Sequence, residues 1–312
     1  MSERAETLGY DHLWMPETWG RDAVTTLASI AHRTEDIGVG TSIANVYSRS
    51  PALLGQTAAT LQEASDGRFR LGIGPSGPIL IAGWHGTDFE RPLRRTREYV
   101  DVVRMVLSGE PLEYDGDLFQ LSGFRLRTAP PERPPPIDVA GMGPKSVELA
   151  GRFGDGWHAI VMTEAGLRER IEDFERGTEL GDRQRDDQRV MLSLPCCALA
   201  DGDRARTLVR EHLAFYVGGM GTYYRDALAR QGYEETAMEI SERWANRDRE
   251  GAAAAIGDDL LDDLAAAGTP DHARERFEAF ASIDGLDAVS VSFPRGATTE
   301  DIDETLTALA PD

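Results

Sequence analysis

IGVGTSIANVYSRSPALLGQTAATLQEASDGRFRLGIG, residues 37–74, decides the fold class. Its first ten residues, Ile37 to Val46, form an apolar run with β-branched side chains and read as a buried strand. Ser50 then precedes Pro51, a capping residue followed by proline at the first helical position. The helix opened there ends near Asp66-Gly67, and RFRLGIG (68–74) returns as a strand. Strand, helix and strand in succession imply a parallel pair joined by a crossover.

The same alternation extends in both directions. Upstream, DHLWM (11–15) is a strand, and a helix over about 22–32 carries Val24, Leu27, Ala28 and Ala31 on one face. Downstream, a glycine-rich loop to Asp88 precedes a long helix over about 92–107, with Leu93, Val100, Val103 and Leu107 as its apolar stripe. Residues 112–128 read as a hairpin excursion. After the proline-rich stretch 130–136 come strand IDVAGM, a helix from Pro144, strand GWHAIVM, strand RVMLSLPCCALA, a helix from about Asp203 to Tyr216 and strand AVSVSF. Residues 218–268 read as a mostly helical insertion. Strands start near positions 11, 37, 69, 137, 157, 191 and 288, which predicts an α/β fold with a parallel sheet and helices outside. The opening SERAETLGYDHLWM reads as the tail of a helix turning through Gly9 into a second strand, so the first strand of the pattern is expected to be lacking or truncated.

Composition narrows the function. Lys plus Arg is 33 against 54 for Asp plus Glu, a net charge of −21. Such a surface repels nucleic acid and anionic membranes, and neither is expected as a partner. No apolar run of about 18 residues occurs, and the start lacks a signal-peptide pattern, so the chain reads as soluble and cytoplasmic. Lys145 is the only lysine. An acidic surplus with lysine depletion resembles proteins of salt-loving archaea. Cys196 and Cys197 are neighbours on a strand and point to opposite faces, which suits core residues and not a shared metal. No metal is expected.

Six blocks in order carry a resemblance: LWMPETWGRDA (13–23), GTSIANVYSRSP (40–51), SDGRFRLGIGPSGP (65–78), GWHGTDFERPLRRTREYVDVVR (83–104), VAGMGPKSVELAGRFGDGWH (139–158) and YVGGMGTYYRDALARQGY (216–233). Along nearly its whole length the chain resembles the F-420-dependent branch of the luciferase-like monooxygenase superfamily, nearest the methylenetetrahydromethanopterin reductases. The resemblance implies one TIM (β/α)8-type barrel domain over residues 1–312, and a homodimer or higher oligomer. Its cofactor would be coenzyme F-420, with FMN as the alternative, and its substrate a small organic molecule accepting or donating hydride. Two further readings stay open, an FMN-dependent monooxygenase and a non-catalytic shortened relative.

In such barrels chemistry sits on the loops after the strands' carboxyl ends. The resemblance puts Glu17, just past the strand at 11–15, in the site. Thr18 stands where relatives often carry histidine, which bears against a His acid or base at that point. It also implies a cis peptide between Ser42 and Ile43, pressing on the ring of the coenzyme. Gly74, Ser76 and Gly77 are small enough for backbone to approach a flat ligand. Trp84 and His85 either brace this loop or touch substrate. Gly141, Met142, Gly143, Lys145 and Ser146 lie where a strand hands over to a helix with Pro144 in its first turn. Backbone amides there favour the coenzyme's phosphodiester.

Overall fold

In a computed structural model, which describes residues 1–311, the rings of His12 and Trp14 occupy the space that side chains at Gly38 and Gly40 would need. A Cβ at either glycine would come within 2.4 Å of the facing ring. The strands β1 (His12–Met15) and β2 (Gly38–Asn45) therefore pair in parallel with His12 opposite Gly38 and Trp14 opposite Gly40. The two rings stack 5.5 Å apart along β1. Large aromatics beside glycines on a neighbouring strand restore the packing surface that glycine lacks.

By its internal contacts the chain divides into two compact units: Met1–Gly141, Lys145–Trp157 and Phe174–Gln188 in one, and Met142–Pro144, His158–Asp173 and Arg189–Asp312 in the other. The first unit opens with α1 (Ser2–Thr7), which turns through Gly9 at φ +84°. This is the helix tail and glycine turn that the opening residues predict. Glu6 ties the helix down: one carboxylate oxygen accepts from the backbone N–H groups of Glu35, Asp36 and Ile37.

Four parallel strands run side by side in this unit, in the order β1, β2, β3 (Phe69–Gly74) and β6 (Ile137–Ala140). Helices α2 (Ala23–Ala31) and α3 (Pro51–Ala64) make the crossovers. Ser50 caps α3 as the sequence signals, accepting from Leu53 N–H at 3.2 Å, and Asp22, read as the start of its helix, caps α2 by accepting from Thr25 N–H at 2.7 Å. Between Thr41 and Ala44 the β2–β3 register shifts by a bulge. The stretch 75–88, expected as loop, contains the short helix α4 (Pro78–Gly83), because burial of Leu80 and Ile81 favours one turn after Pro78. In α5 (Pro92–Leu107) the buried face carries Tyr99, Val100, Val103 and Val106. Leu93 lies outside that face and is exposed. The expected hairpin is present as antiparallel β4 (Leu112–Asp115) and β5 (Gln120–Phe124).

The helices α6 (Pro144–Phe153) and α7 (Glu164–Leu180) meet at glycines within the first unit. A Cβ at Gly151 would lie 2.0 Å from the Phe174 carbonyl oxygen, and one at Gly177 would lie 2.1 Å from that of Glu148. The sequence reading does not mark α7. Strand β7 (Gly156–Ile160) carries the chain from the first unit into the second.

In the second unit β8 (Arg189–Ala198) pairs in parallel with β10 (Ala288–Ser292) along Met191–Pro195 and with β9 (Ala266–Gly268) along Cys196–Ala198. Both cysteines are buried on β8 with free thiols. Burial pushes the Cys197 thiol up to about 11 and Cys196 further, so neither is a nucleophile at neutral pH. The expected helical insertion consists of α9 (Thr222–Leu228), α10 (Glu234–Ala245), α11 (Arg249–Ala254) and α12 (Asp258–Leu264), after α8 (Gly202–Ala214). It closes on β9, a strand too short for its alanines to announce. Helices α13 (Pro270–Ala281) and α14 (Thr299–Ala308) complete the unit, neither marked in the sequence reading. No helix among the described residues is long and apolar enough to cross a membrane.

Candidate active site

Glu17 follows β1 and is nearly buried, its side chain 9% exposed. Its backbone N–H donates to the Ile43 carbonyl at 3.1 Å, which fixes the turn against the end of β2. One carboxylate oxygen accepts from Asn45 N–H at 3.0 Å, Asn45 Nδ2 at 3.1 Å and Ser48 Oγ at 2.8 Å. The other is ion-paired with Arg49, whose second amino group reaches Asp22 at 3.3 Å. Buried carboxylates need such a donor set, because an ionised oxygen without partners is costly away from water.

The peptide bond between Ser42 and Ile43 is cis. Gly74, at the end of β3, packs directly on this bulge. A Cβ there would stand 3.4 Å from the Ile43 side chain and 3.1 Å from Ala140 Cβ at the end of β6. The glycine thus lets three strand ends close on one another. Ser76 adopts φ +59°, and Gly77 precedes α4. Beyond α4, Trp84 is exposed, while His85 Nε2 comes within 3.2 Å of Asn45 Nδ2. Thr18 is exposed, and among the described residues its hydroxyl makes no hydrogen bond to this cluster.

Glu17, Ser42, Ile43, Gly74 and His85 are therefore brought together at the carboxyl ends of β1, β2 and β3. Three members of the cluster were not singled out from sequence: Asn45, Ser48 and Arg49. They lie in the block GTSIANVYSRSP. Their signal was the spacing from the end of a strand to a helix cap, where polar side chains cluster. Tyr99 on α5 supports them from behind, donating its hydroxyl to the Arg49 carbonyl. Burial pushes that phenol up to about 12, against the opposing influence of Arg95.

The turn into α6 is tight. A Cβ at Gly141 would lie 2.6 Å from Ser146 Oγ, and the Gly141 carbonyl accepts from Trp157 Nε1 at 2.8 Å. Lys145 is exposed at the start of this helix and has no ion-pair partner among the described residues. Met142 and Gly143 belong to the second unit and are half-buried.

The second unit carries its own cluster. Arg295 N–H donates to His212 Nδ1 at 3.0 Å, and the His212, Tyr216 and Tyr224 rings follow one another at 4.9 Å steps. Burial, aided by Arg295, pushes His212 down to about 4. Tyr223 is exposed. Two cavities in the first unit, about 860 and 440 Å³, involve none of the predicted site residues. The larger runs between α3 and the stretch 124–133, and the smaller beside Arg70 and Asp155.

Residues 1–285 match the luciferase-like monooxygenase family. A Mycobacterium tuberculosis protein named as a coenzyme F420-dependent oxidoreductase is 32% identical over 290 residues, covering 87% of this chain and 84% of its own. The 5,10-methylenetetrahydromethanopterin reductase of Archaeoglobus fulgidus is 29% identical, with 94% and 88% covered. Among solved structures, the coenzyme F420-dependent tetrahydromethanopterin reductase from Methanopyrus kandleri has the same fold. It superposes with a TM-score of 0.84 at 22% identity, over 98% of this chain and 92% of that one. The chain belongs to the luciferase-like monooxygenase family and is an oxidoreductase.

Proposed function

We propose that this oxidoreductase uses coenzyme F-420 and transfers hydride between the reduced deazaflavin and a small organic acceptor of the methylenetetrahydromethanopterin or folate type. The observation that carries the reading is the polar cluster of Glu17, Asn45, Arg49 and His85, built at the joined carboxyl ends of parallel strands. The residues fit such a coenzyme. Gly74 and Gly77 keep the β3 loop free of side chains that would block a flat ring. Gly141, Lys145 and Ser146 at the start of α6, with Met142 and Gly143 in the same turn, suit a phosphodiester. When bound, a deazaflavin supplies two-electron hydride chemistry with little reaction toward oxygen. The chain's own residues bind and orient. Arg49 holds the Glu17 carboxylate, Glu17 holds Asn45, and Asn45 meets His85. Thr18 borders this group. The coenzyme F420 dependence named for the Mycobacterium tuberculosis relative, which covers 87% of this chain, favours F-420 over FMN. The same reading gives a homodimer or higher oligomer, and a salt-loving archaeal source for the acidic, lysine-poor surface.

The test is titration of the purified chain in strong salt with oxidised F-420 and, separately, FMN, followed by absorbance and fluorescence quenching. Binding of F-420 in preference to FMN is expected, with oxidation of the reduced coenzyme by a methylene-pterin. Preference for FMN would move the chain to the oxygen-using branch. Binding of neither would sink the catalytic reading.

A further inference from the structure

We propose that Asn45 is a positioning residue that fixes His85 as a hydrogen-bond donor, with its proton on Nδ1, and that this donor engages an acceptor oxygen of the bound ligand. The orientation of the Asn45 amide follows from its neighbours. Tyr47 N–H, a donor only, lies 3.0 Å from Asn45 Oδ1. Glu17 Oε2, an acceptor that already takes Ser48 and Asn45 N–H, lies 3.1 Å from Nδ2. Turning the amide over would set donor against donor at Tyr47 and oxygen against carboxylate at Glu17. Nδ2 therefore faces both Glu17 and His85, and it has no lone pair to offer a histidine N–H.

His85 Nε2, 3.2 Å away, must be the acceptor. A neutral imidazole that accepts at one nitrogen carries its proton on the other. Nδ1 has no hydrogen-bond partner among the described residues, and His85 is only half-buried. The donor is thus free to meet a ligand. The parts that set it are rigid. The Tyr47 hydroxyl donates to the Glu90 carbonyl at 3.1 Å, its ring stacks on Phe89 at 5.3 Å, and the Arg95 guanidinium covers it at 4.6 Å. The backbone N–H of His85 donates to the Leu80 carbonyl of α4 at 3.4 Å. Only the identity of the ligand rests on the function proposed above.

Nitrogen-15 NMR of the full chain reads the tautomer directly, with the His85 signals identified by their loss in His85→Gln. Wild type is expected to show a bare Nε2 and a protonated Nδ1. Asn45→Asp, whose second carboxylate oxygen accepts where Nδ2 donated, is expected to move the proton to Nε2. A protonated, donating Nε2 in wild type would overturn the assignment. Because Asn45→Asp sets two carboxylates side by side and can fail to fold, a second pair tests the donor. His85→Asn places an amide at the level of Nδ1, and His85→Gln places one at the level of Nε2. Weakening of F-420 binding by roughly 3-fold in the first and by 10-fold or more in the second is expected, about the value of one hydrogen bond. Equal losses would overturn the ligand contact. A wild type that binds no F-420 yet shows the Nδ1–H tautomer would sink the proposed function while leaving the Asn45 assignment standing.

Discussion

Glu17 is held by a serine, an asparagine and an arginine, so its removal acts on all three. Glu17→Gln keeps the size and one acceptor but leaves the Arg49 guanidinium without its close anion. A loss of roughly 1–3 kcal/mol in unfolding free energy is expected, the usual cost of orphaning a partly buried group. The proposed F-420-dependent activity should fall at least tenfold, and steady-state kinetics beside urea denaturation would separate the two effects. Unchanged kinetics would remove Glu17 from the site. Gly40→Ala makes a comparable test of the strand pair. The new Cβ would meet the Trp14 ring at 2.4 Å and the Arg70 carbonyl at 2.8 Å, so overpacking should cost about 1–3 kcal/mol in the same assay. At this scale the sequence was legible for position, with Glu17 just past a strand and Gly141 in a strand-to-helix turn, while their roles came from the resemblance. It was not legible for Asn45. The role of that side chain depends on which way its amide faces, which Tyr47 beside it and Glu17 on a distant segment decide.

Helices α6 and α7 touch backbone to backbone through Gly151 and Gly177, a contact that leaves no room for a methyl group. Gly151→Ala should therefore force the helices apart and lower the melting temperature by several degrees, for about 1–3 kcal/mol. A surface glycine such as Gly257, whose Cβ would meet nothing within 4 Å, serves as the control. Helix α8 carries a pH-dependent contribution. Burial holds His212 at about 4, below its ordinary 6.5, and the ring accepts from Arg295. The unfolded chain takes up a proton that the folded ring refuses. The stabilisation is therefore complete above pH 6.5 and is lost as pH falls toward 4, a change of about 3 kcal/mol. Denaturation curves across that interval should show the slope, and His212→Asn should flatten it. At lower pH the cap of α14 gives way. Arg204 and the Thr298 cap hold the Asp301 carboxyl well below its usual range, so its contribution fades as acid protonates it. The cap at Ser50 could be read locally, since a cap needs only its next three residues. Helix α7 could not, because its glycines make sense only against α6.

A net charge of −21 with 33 arginines and lysines makes self-repulsion a property of the whole chain. Several ion pairs among the described residues join arginine to carboxylate at exposed positions, as at Arg243 with Glu239 and Arg168 with Glu164. Such pairs contribute little singly and leave the acidic excess uncompensated. Salt should therefore stabilise the fold. The melting temperature is expected to rise by several degrees between about 0.1 M and about 1 M salt, as the screening length shortens from about 10 Å to about 3 Å. A flat or falling curve would show that the acidic surface does not limit stability.

Order and type of the strands, the caps and the hairpin were determined by the sequence itself, because hydrophobic period and turn chemistry act over a few neighbouring residues. So was the acidic character, which is a sum over side chains. What tertiary structure alone decided is the company each residue keeps. It set glycines beside rings in β1 and β2, brought Gly74 against Ile43 and Ala140, and turned Glu17 into the anchor of Asn45 and Arg49. Those contacts join segments tens of residues apart. Their energies depend on distances of a few ångströms that no local pattern specifies.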